Sequence, residues 1–591
     1  GQRTQIDGWS ARARLDAREQ ADDPRTIYFM DGNTRKPFTW SQLGSLQSNF
    51  SGKNASSRLA QYDQMSQAQK QEALGQNLVN FIRGDQSKEG FTKDHNSKLY
   101  RTRESRLGDI IGSQPLYVGA PQRKYQDAGH SAFRLAQRGR TPMVYVGGND
   151  GMLHAFYAEV DPAATGTEGQ KLVQTAAREA WAFVPTTVMP EPTRLASISY
   201  EGGHRYFVDG SPVMADIQAG GTWKTILVGG FNKGGKGYYA LDITNPQGPK
   251  PLWEINSTTL STMGHSFGRP LVSKLPDGRW AVFLTSGYNN SDDKGYLYVL
   301  DANNGSIIHT LGTEGSGLRE INNYVRNPAI DNTTQLLYGG DLEGNIWRFE
   351  FKKDGSTKDA KKVVQLVDDS SKPQPITTRL ELVPTSAATE RPRILVGTGR
   401  LYGSSDLADK STQSVYGFDD NMDGISGESL RSRLKQMLLE PSTGAGGQRT
   451  RTIKCLGSST DCKDDAKGWY VDLPDSGERV NIDMRVVNST LVIASNVPSP
   501  DVCLAGGYGW INYLDFNTGQ AVIQGADGKG DASTMVDGST ISGHATTISG
   551  DGKATDHIST TGVRDKPLDI DIPYAAPKPL GRRISWRELV K

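Results

Sequence analysis

The stretch DDNMDG, residues 419–424, sets Asp419, Asn421 and Asp423 at alternate positions ahead of Gly424. That is the first half of a loop that wraps calcium in oxygen ligands. Such a loop needs a bidentate glutamate at its twelfth position, and here that position is Leu430; Glu428 could serve only in a shorter loop. Calcium is the cation this segment could hold, with a plain turn as the simpler reading. NNSDDKG (289–295) and DGKGD (527–531) are weaker versions of the same pattern. A second candidate is the tripeptide Arg83, Gly84, Asp85, an adhesion motif when it stands on an exposed loop. At the end of a helix it has a structural role instead, with a cation suited to the dipole and glycine as the cap. Nucleophile, zinc and nucleotide fingerprints are absent from their required contexts. His154 lies inside an apolar strand pattern, and His265 has Arg269 nearby but no third group. The chain therefore reads as a non-enzyme.

Three cysteines are present. Cys455 and Cys462 enclose the polar segment LGSSTD, short enough for a local disulfide that leaves Cys503 over, with two unrelated thiols as the alternative. This pattern leans towards an exported protein. The chain begins with Gly and carries no apolar run of about 18 residues, so an export signal is expected upstream of it. With 67 Lys and Arg against 66 Asp and Glu, no global field recruits nucleic acid or anionic lipid.

The elements that must position these residues are mostly strands. Among 591 residues, 67 are glycine and 28 proline, the punctuation of many short strands and turns. Residues 1 to about 65 read as irregular. Ser66 and Gln69 then form a capping-box pair, and Leu74, Leu78 and Ile82 recur every four residues up to Gly84, predicting one helix. A repeat follows: a short apolar strand ending in small residues, a turn, and a second strand closed by an acid. Its copies are VYVGGNDGMLHAFYA (144–158), ILVGGFNKGGKGYYALDIT (226–244), FLTSGYNNSDDKGYLYVLDA (283–302), LYGGDLEGNIWRFEF (337–351), ILVGTGRLYG…SVYGFDD (394–420) and CLAGGYGWINYLDF (503–516). Each is a hairpin that cannot bury both faces alone, and radial packing of several four-stranded sheets solves that problem. Seven blades are expected, with six or eight as alternatives, because GWYVDLP and STLVIASNVPSP leave room for one more copy between 420 and 503.

The acids that close the second strands, Asp301, Glu350, Asp419 and Asp515, occupy one register. They are expected at corners, accepting backbone N–H bonds. The same logic makes YGGDLEGNIWRFE (338–350) a tight turn rather than a ligand loop, with Trp347, Phe349 and Phe351 on one strand face. Residues 1–106 are assigned to an irregular and helical segment and 107–591 to the propeller. The Gly, Ser, Thr and Asp-rich stretch 525–560 is expected to form a long polar loop.

A series of ordered motifs carries a resemblance. FIRGDQSKEG, YRTRESRLGDIIGSQPLYVGAP, YVGGNDGMLHAF, YFVDGSPVMADI, ILVGGFNKGGKGYYALDIT, YGGDLEGNIWRFE and GRRISWREL occur in sequence. Together they resemble the C-terminal domain of the PilC/PilY family, type IV pilus tip-associated adhesins and biogenesis factors, over residues 75 to 591. The resemblance implies an all-β fold, a modified seven-bladed propeller of quinoprotein-like shape. It implies a role in type IV pilus biogenesis, with pilus extension promoted against retraction, twitching motility, host-cell attachment and virulence. Minor pilins, the pilus machinery and a host-cell receptor are the implied partners, and the cell surface, outer membrane and pilus tip the implied location. It also implies a calcium loop just before YGGDLEGNIWRFE. The matching positions here are Asn327, Ala329, Asp331, Thr333 and Gln335, and only Asp331 keeps a carboxylate. A cation needing six to eight oxygens is poorly served by that set. Two other readings compete: a quinone-dependent dehydrogenase on the same fold, and a surface ligand-binding, lectin-like propeller without a pilus role.

Overall fold

The computed structural model describes residues 10–18, 24–158, 175–325, 327–385, 391–421, 425–457, 467–499, 506–522, 530–549, 553–561 and 568–573. The chain divides into two compact units, residues 1–337 with 349–360, and residues 338–348 with 361–591. In the first unit, one sheet runs in the order Thr34–Pro37, Ile27–Asp31, Glu179–Val184, Met152–Tyr157, Met143–Gly148, Leu116–Val118. Two four-stranded antiparallel sheets follow, Val213–Ala219 to Lys250–Asn256 and Leu271–Lys274 to Ile307–Gly312. A further four-stranded sheet is built from Ile321–Tyr324, Leu336–Gly340, Asn345–Glu350 and Lys361–Gln365.

In the three four-stranded sheets the sequence repeats are the two central strands. Trp280–Thr285 is buried along its whole length, whereas the outer strand Ile307–Gly312 is largely exposed or half-buried. Central strands covered on both faces need near-continuous apolar runs, and outer ones can alternate. In the second unit the sixth copy is split differently from expectation. Its second strand is Gly507–Asp515, but the partner is Thr490–Pro498, paired from Thr490↔Asp515 to Pro498↔Gly507. Likewise Gly468–Asp472 pairs with Ser414–Asp419 rather than with the Thr490–Pro498 strand.

The described strands form six sheets, the largest of ten strands. Within that one, the ribbon Lys435–Thr443 and Arg449–Cys455 lies between two groups of four.

Three expectations are corrected. The segment 1–106 holds a hairpin whose strand Ile27–Asp31 pairs in parallel with Glu179–Val184, so it belongs to the first sheet. Its apolar residues Phe38, Leu43, Phe50, Leu59 and Met65 pack with Phe29, Met152 and Val184. They sit on short 3-10 turns and irregular links, which have no period to read. The helix from Ser66 starts with the expected capping box but ends at Glu72, and a second helix runs Gln76–Ile82. Gly75 breaks it with φ at +72°, its N–H donated to Phe50 O at 2.8 Å. Most of the described part of 525–560 is strand rather than loop: Gly530–Val536, Ile541–Ile548 and Ala554–Thr560 are all paired. Ala532, Val536, Ile541, Ala554 and Ile558 are buried, with Ser and Thr between them. β-Branched residues such as Thr, Val and Ile suit a pleated surface even where mean hydropathy is low.

Candidate functional site

The turn that opens YGGDLEGNIWRFE uses both oxygens of Asp341. Oδ1 accepts the N–H groups of Glu343 and Asn345, each at 2.9 Å. Oδ2 accepts Asn345 Nδ2 at 2.9 Å and Trp347 Nε1 at 2.7 Å. Burial pushes the Asp341 carboxyl up, and these four donors oppose that shift. Gly344 closes the turn at φ +77°, where an added Cβ would lie 2.7 Å from the carbonyl oxygens of Gln374 and Leu366. Only glycine fits there without strain. Trp347, Phe349 and Phe351 are all buried, and on the alternate face Arg348 meets Asp420. Arg348 Nη1 lies 2.7 and 2.9 Å from the two Asp420 oxygens, and Tyr338 donates its hydroxyl at 2.6 Å.

These contacts bear on the candidate calcium loop. Asp419, its first ligand position, pairs across the strands with Arg393 Nε at 2.7 Å. Asp420 is already held by Arg348. Asn421 is exposed and donates its N–H to Asp419 O at 2.7 Å. Asp423 lies outside the described residues. Among the described residues no group of three or more His, Cys, Asp and Glu is placed to hold a metal. Two of the strand-end acids stand as expected: Asp301 Oδ1 accepts Asn303 and Asn304 N–H, and Asp515 Oδ1 accepts Asn517 and Thr518 N–H.

The segment at 327–335 is tied into its surroundings by backbone. The carbonyls of Ala329 and Ile330 accept N–H groups of Lys124 and Gln126. Asn327 O accepts from Ile330 and Asp331, and Thr333 gives Asp331 Oδ1 its N–H at 3.0 Å and its hydroxyl at 2.6 Å. Lys274 Nζ stands 3.9 Å from Asp331 and also meets Asp127, so an ammonium faces the segment's one carboxylate. Gln335 O accepts Phe351 N–H at the start of the strand pair.

Arg83, Gly84 and Asp85 follow the helix Gln76–Ile82, with Arg83 as its C-cap. The guanidinium donates to Phe38 O at 2.7 Å and Arg25 O at 3.0 Å. Gly84 O accepts Arg106 Nε, and Asp85 Oδ1 accepts Ser87 N–H at 2.8 Å.

Through Arg25 this turn reaches a group that the sequence pattern concealed. Arg25 Nη1 donates to Arg83 O, while Nε and Nη2 grip Glu179 at 2.8 and 2.7 Å. Glu179 Oε1 also meets His154 Nδ1 at 2.8 Å, and His154 Nε2 meets Asp150 at 3.0 Å. Arg25, His154 and Glu179 are almost wholly buried, and Asp150 nearly so. Burial alone would lower the imidazole, yet the carboxylates of Asp150 and Glu179 raise its pKa to about 9. Burial would raise Glu179, but Arg25 and His154 hold it far below the usual carboxylate range. His154 thus stays cationic between two carboxylates, a closed charge network. The available signal was a titratable residue in each of two apolar strands, GMLHAFY and EAWAFV.

Cys455 is disulfide-bonded. Cys462 and Cys503 lie outside the described residues.

With this geometry in view, likeness to known proteins is informative. A family model described as the PilY1 beta-propeller domain matches residues 107–442. The type IV pilus biogenesis factor PilY1 of Pseudomonas aeruginosa strain PAK is 32% identical over 566 residues, taking in 86% of this chain and 46% of that protein. A Xylella fastidiosa homologue of that factor is 32% identical over 541 residues, covering 87% of this chain and 41% of its own length. The crystal structure of the Pseudomonas aeruginosa PilY1 C-terminal domain aligns with a TM-score of 0.58 at 26% identity, over 75% of this chain and 99% of that domain. The chain spans about half the length, 46%, of the first of these relatives.

Proposed function

The chain belongs to the PilY1 β-propeller family, and from that premise we propose that it is the propeller portion of a type IV pilus biogenesis factor. The observation that carries this reading is likeness to proteins named as such factors across 86% of the chain. Its role is non-enzymatic: it favours pilus extension over retraction, engages minor pilins and the pilus machinery, and supports attachment to host cells. Exposure at the cell surface, on the outer membrane and the pilus tip, goes with that role. A seven-bladed count follows if the ten-stranded sheet is two blades bridged by its ribbon and the three-stranded sheet is one blade.

The use of its acids supports a binding scaffold over a catalyst. Asp341, Asp420, Asp150 and Glu179 all serve buried turns and ion pairs. Attachment through Arg83, Gly84 and Asp85 would require Arg83 to leave two backbone carbonyls. The deciding experiment deletes the gene in its own host and restores it with or without the segment encoding this chain. Surface pili and twitching are expected to return only with the segment. Normal piliation in the deletion strain would overturn the reading.

A further inference from the structure

A cleft of about 520 Å³ opens in the first unit, walled by Arg101, Asp109, Tyr200 and His204 over a floor of Asn149 and Asp150. Arg101 is half-buried, and burial lowers its pKa. Its Nε donates to Leu195 O at 2.6 Å and Nη1 to Thr102 O at 3.4 Å. Among the described residues it has no carboxylate within ion-pair distance. The other arginines of the wall are satisfied: Arg103 by Glu89, Arg12 by Glu104, and Arg106 by four backbone carbonyls. Glu89 and Glu201 partly offset the burial of Arg101 without pairing with it. A half-buried guanidinium with no paired carboxylate is costly to hold, and a bound anion reduces that cost.

Asp109 is built for a second contact. Its Oδ2 accepts Asn149 Nδ2 at 2.9 Å and lies 2.9 Å from His204 Nε2, and among the described residues none donates to Oδ1. The side chain is 46% exposed, so Oδ1 is open to a ligand. Between the two charges lie two rings. Arg101 stacks 4.7 Å from the Tyr200 centroid, and Tyr200 meets His204 at 5.9 Å with the ring planes tilted by 52°.

A simple anion matches only half of this arrangement, because Asp109 repels it. The remaining acids of the wall are Glu104 beside Arg12, Asp150 bonded to His154, and exposed Glu201 on the rim. A ligand carrying one carboxylate and several hydroxyls on a ring matches all of it. Its carboxylate meets Arg101, its hydroxyls donate to Asp109 Oδ1, and its C–H face lies along the rings. The volume suits one or two sugar rings. We propose that this cleft binds an acidic sugar residue, of the uronic or nonulosonic acid class. The proposal does not depend on a pilus role.

Purified whole chain titrated with N-acetylneuraminic acid and glucuronic acid, followed by saturation-transfer NMR and calorimetry, tests it. Glucose, acetate and a free amino-acid mixture serve as competitors. Saturable binding of at least one acidic sugar is expected, with weakening on the order of tenfold in both Arg101→Gln and Asp109→Asn, the loss of one charged hydrogen bond each. Arg101→Lys should keep part of the affinity. Asp109→Asn is isosteric and half-exposed, so an unchanged circular-dichroism melt keeps its result interpretable if Arg101→Gln misfolds. The proposal is overturned if neither acidic sugar binds, if acetate or the amino acids bind as well, or if Asp109→Asn binds like the parent chain.

Discussion

Asp341 and His154 represent the two uses this chain makes of buried charge. Asp341 is surrounded by four donors, so Asp341→Ala leaves Trp347 Nε1 and Asn345 Nδ2 without their acceptor. A loss on the order of 3 kcal/mol is expected in urea unfolding; a loss below a few tenths would contradict the role given to it. For His154 the sign of the pH dependence follows from its raised pKa. The folded imidazole at about 9 contributes stability fully below its ordinary value of 6.5, and that contribution is lost as pH rises through about 9. Glu179, held low, acts in the opposite sense, with stability present above its ordinary value of 4.5 and lost on acidification. Melting temperature against pH should therefore show a plateau that falls on both sides. His154→Gln should be less stable and lack the alkaline fall near pH 9; an unchanged alkaline limb would reject the network. Arg83→Ala, which frees two carbonyls, should cost about 1–3 kcal/mol in the same assay. The charged partners were hidden because Arg25 and Glu179 lie 154 positions apart and meet only through tertiary packing.

At the scale of elements, Gly344 is the sharpest test. Its φ of +77° and the two carbonyls close to its absent Cβ make Gly344→Ala both strained and crowded. A loss of roughly 1–3 kcal/mol or more is expected by chemical unfolding, and neutral behaviour would mean the turn can relax. The central hairpins were legible because strands buried on both faces require apolar runs such as WAVFLT and small residues at their ends. The capping box at Ser66 was legible for the same local reason. The outer elements were not. Thr34–Pro37 is mostly exposed and polar, and the strands within 530–560 alternate Ser and Thr with small apolar residues. Such segments become strands because a neighbouring edge offers backbone partners, which no local pattern reveals.

For the whole molecule, the metal question reduces to competition. Asp419 is neutralised by Arg393 and Asp420 by Arg348, while Lys274 faces Asp331. Calcium calorimetry on the chain and on Asp423→Ala is therefore expected to give the same trace, and a saturable heat lost in the variant would restore Asp419, Asn421 and Asp423 as ligands. What the sequence determined by itself was the repeated hairpin, the corner acids Asp301 and Asp515, the Asp341 turn and the family likeness. All of these rest on interactions within a few residues or on a pattern copied along the chain. Only the tertiary structure decided that residues 27–37 enter the first sheet, that Gly507–Asp515 pairs with Thr490–Pro498, and that Arg25, His154 and Glu179 form one network. The physical reason is common to them. A strand edge or a buried charge chooses its partner by which groups remain unsatisfied when distant segments meet, and that choice is made in space.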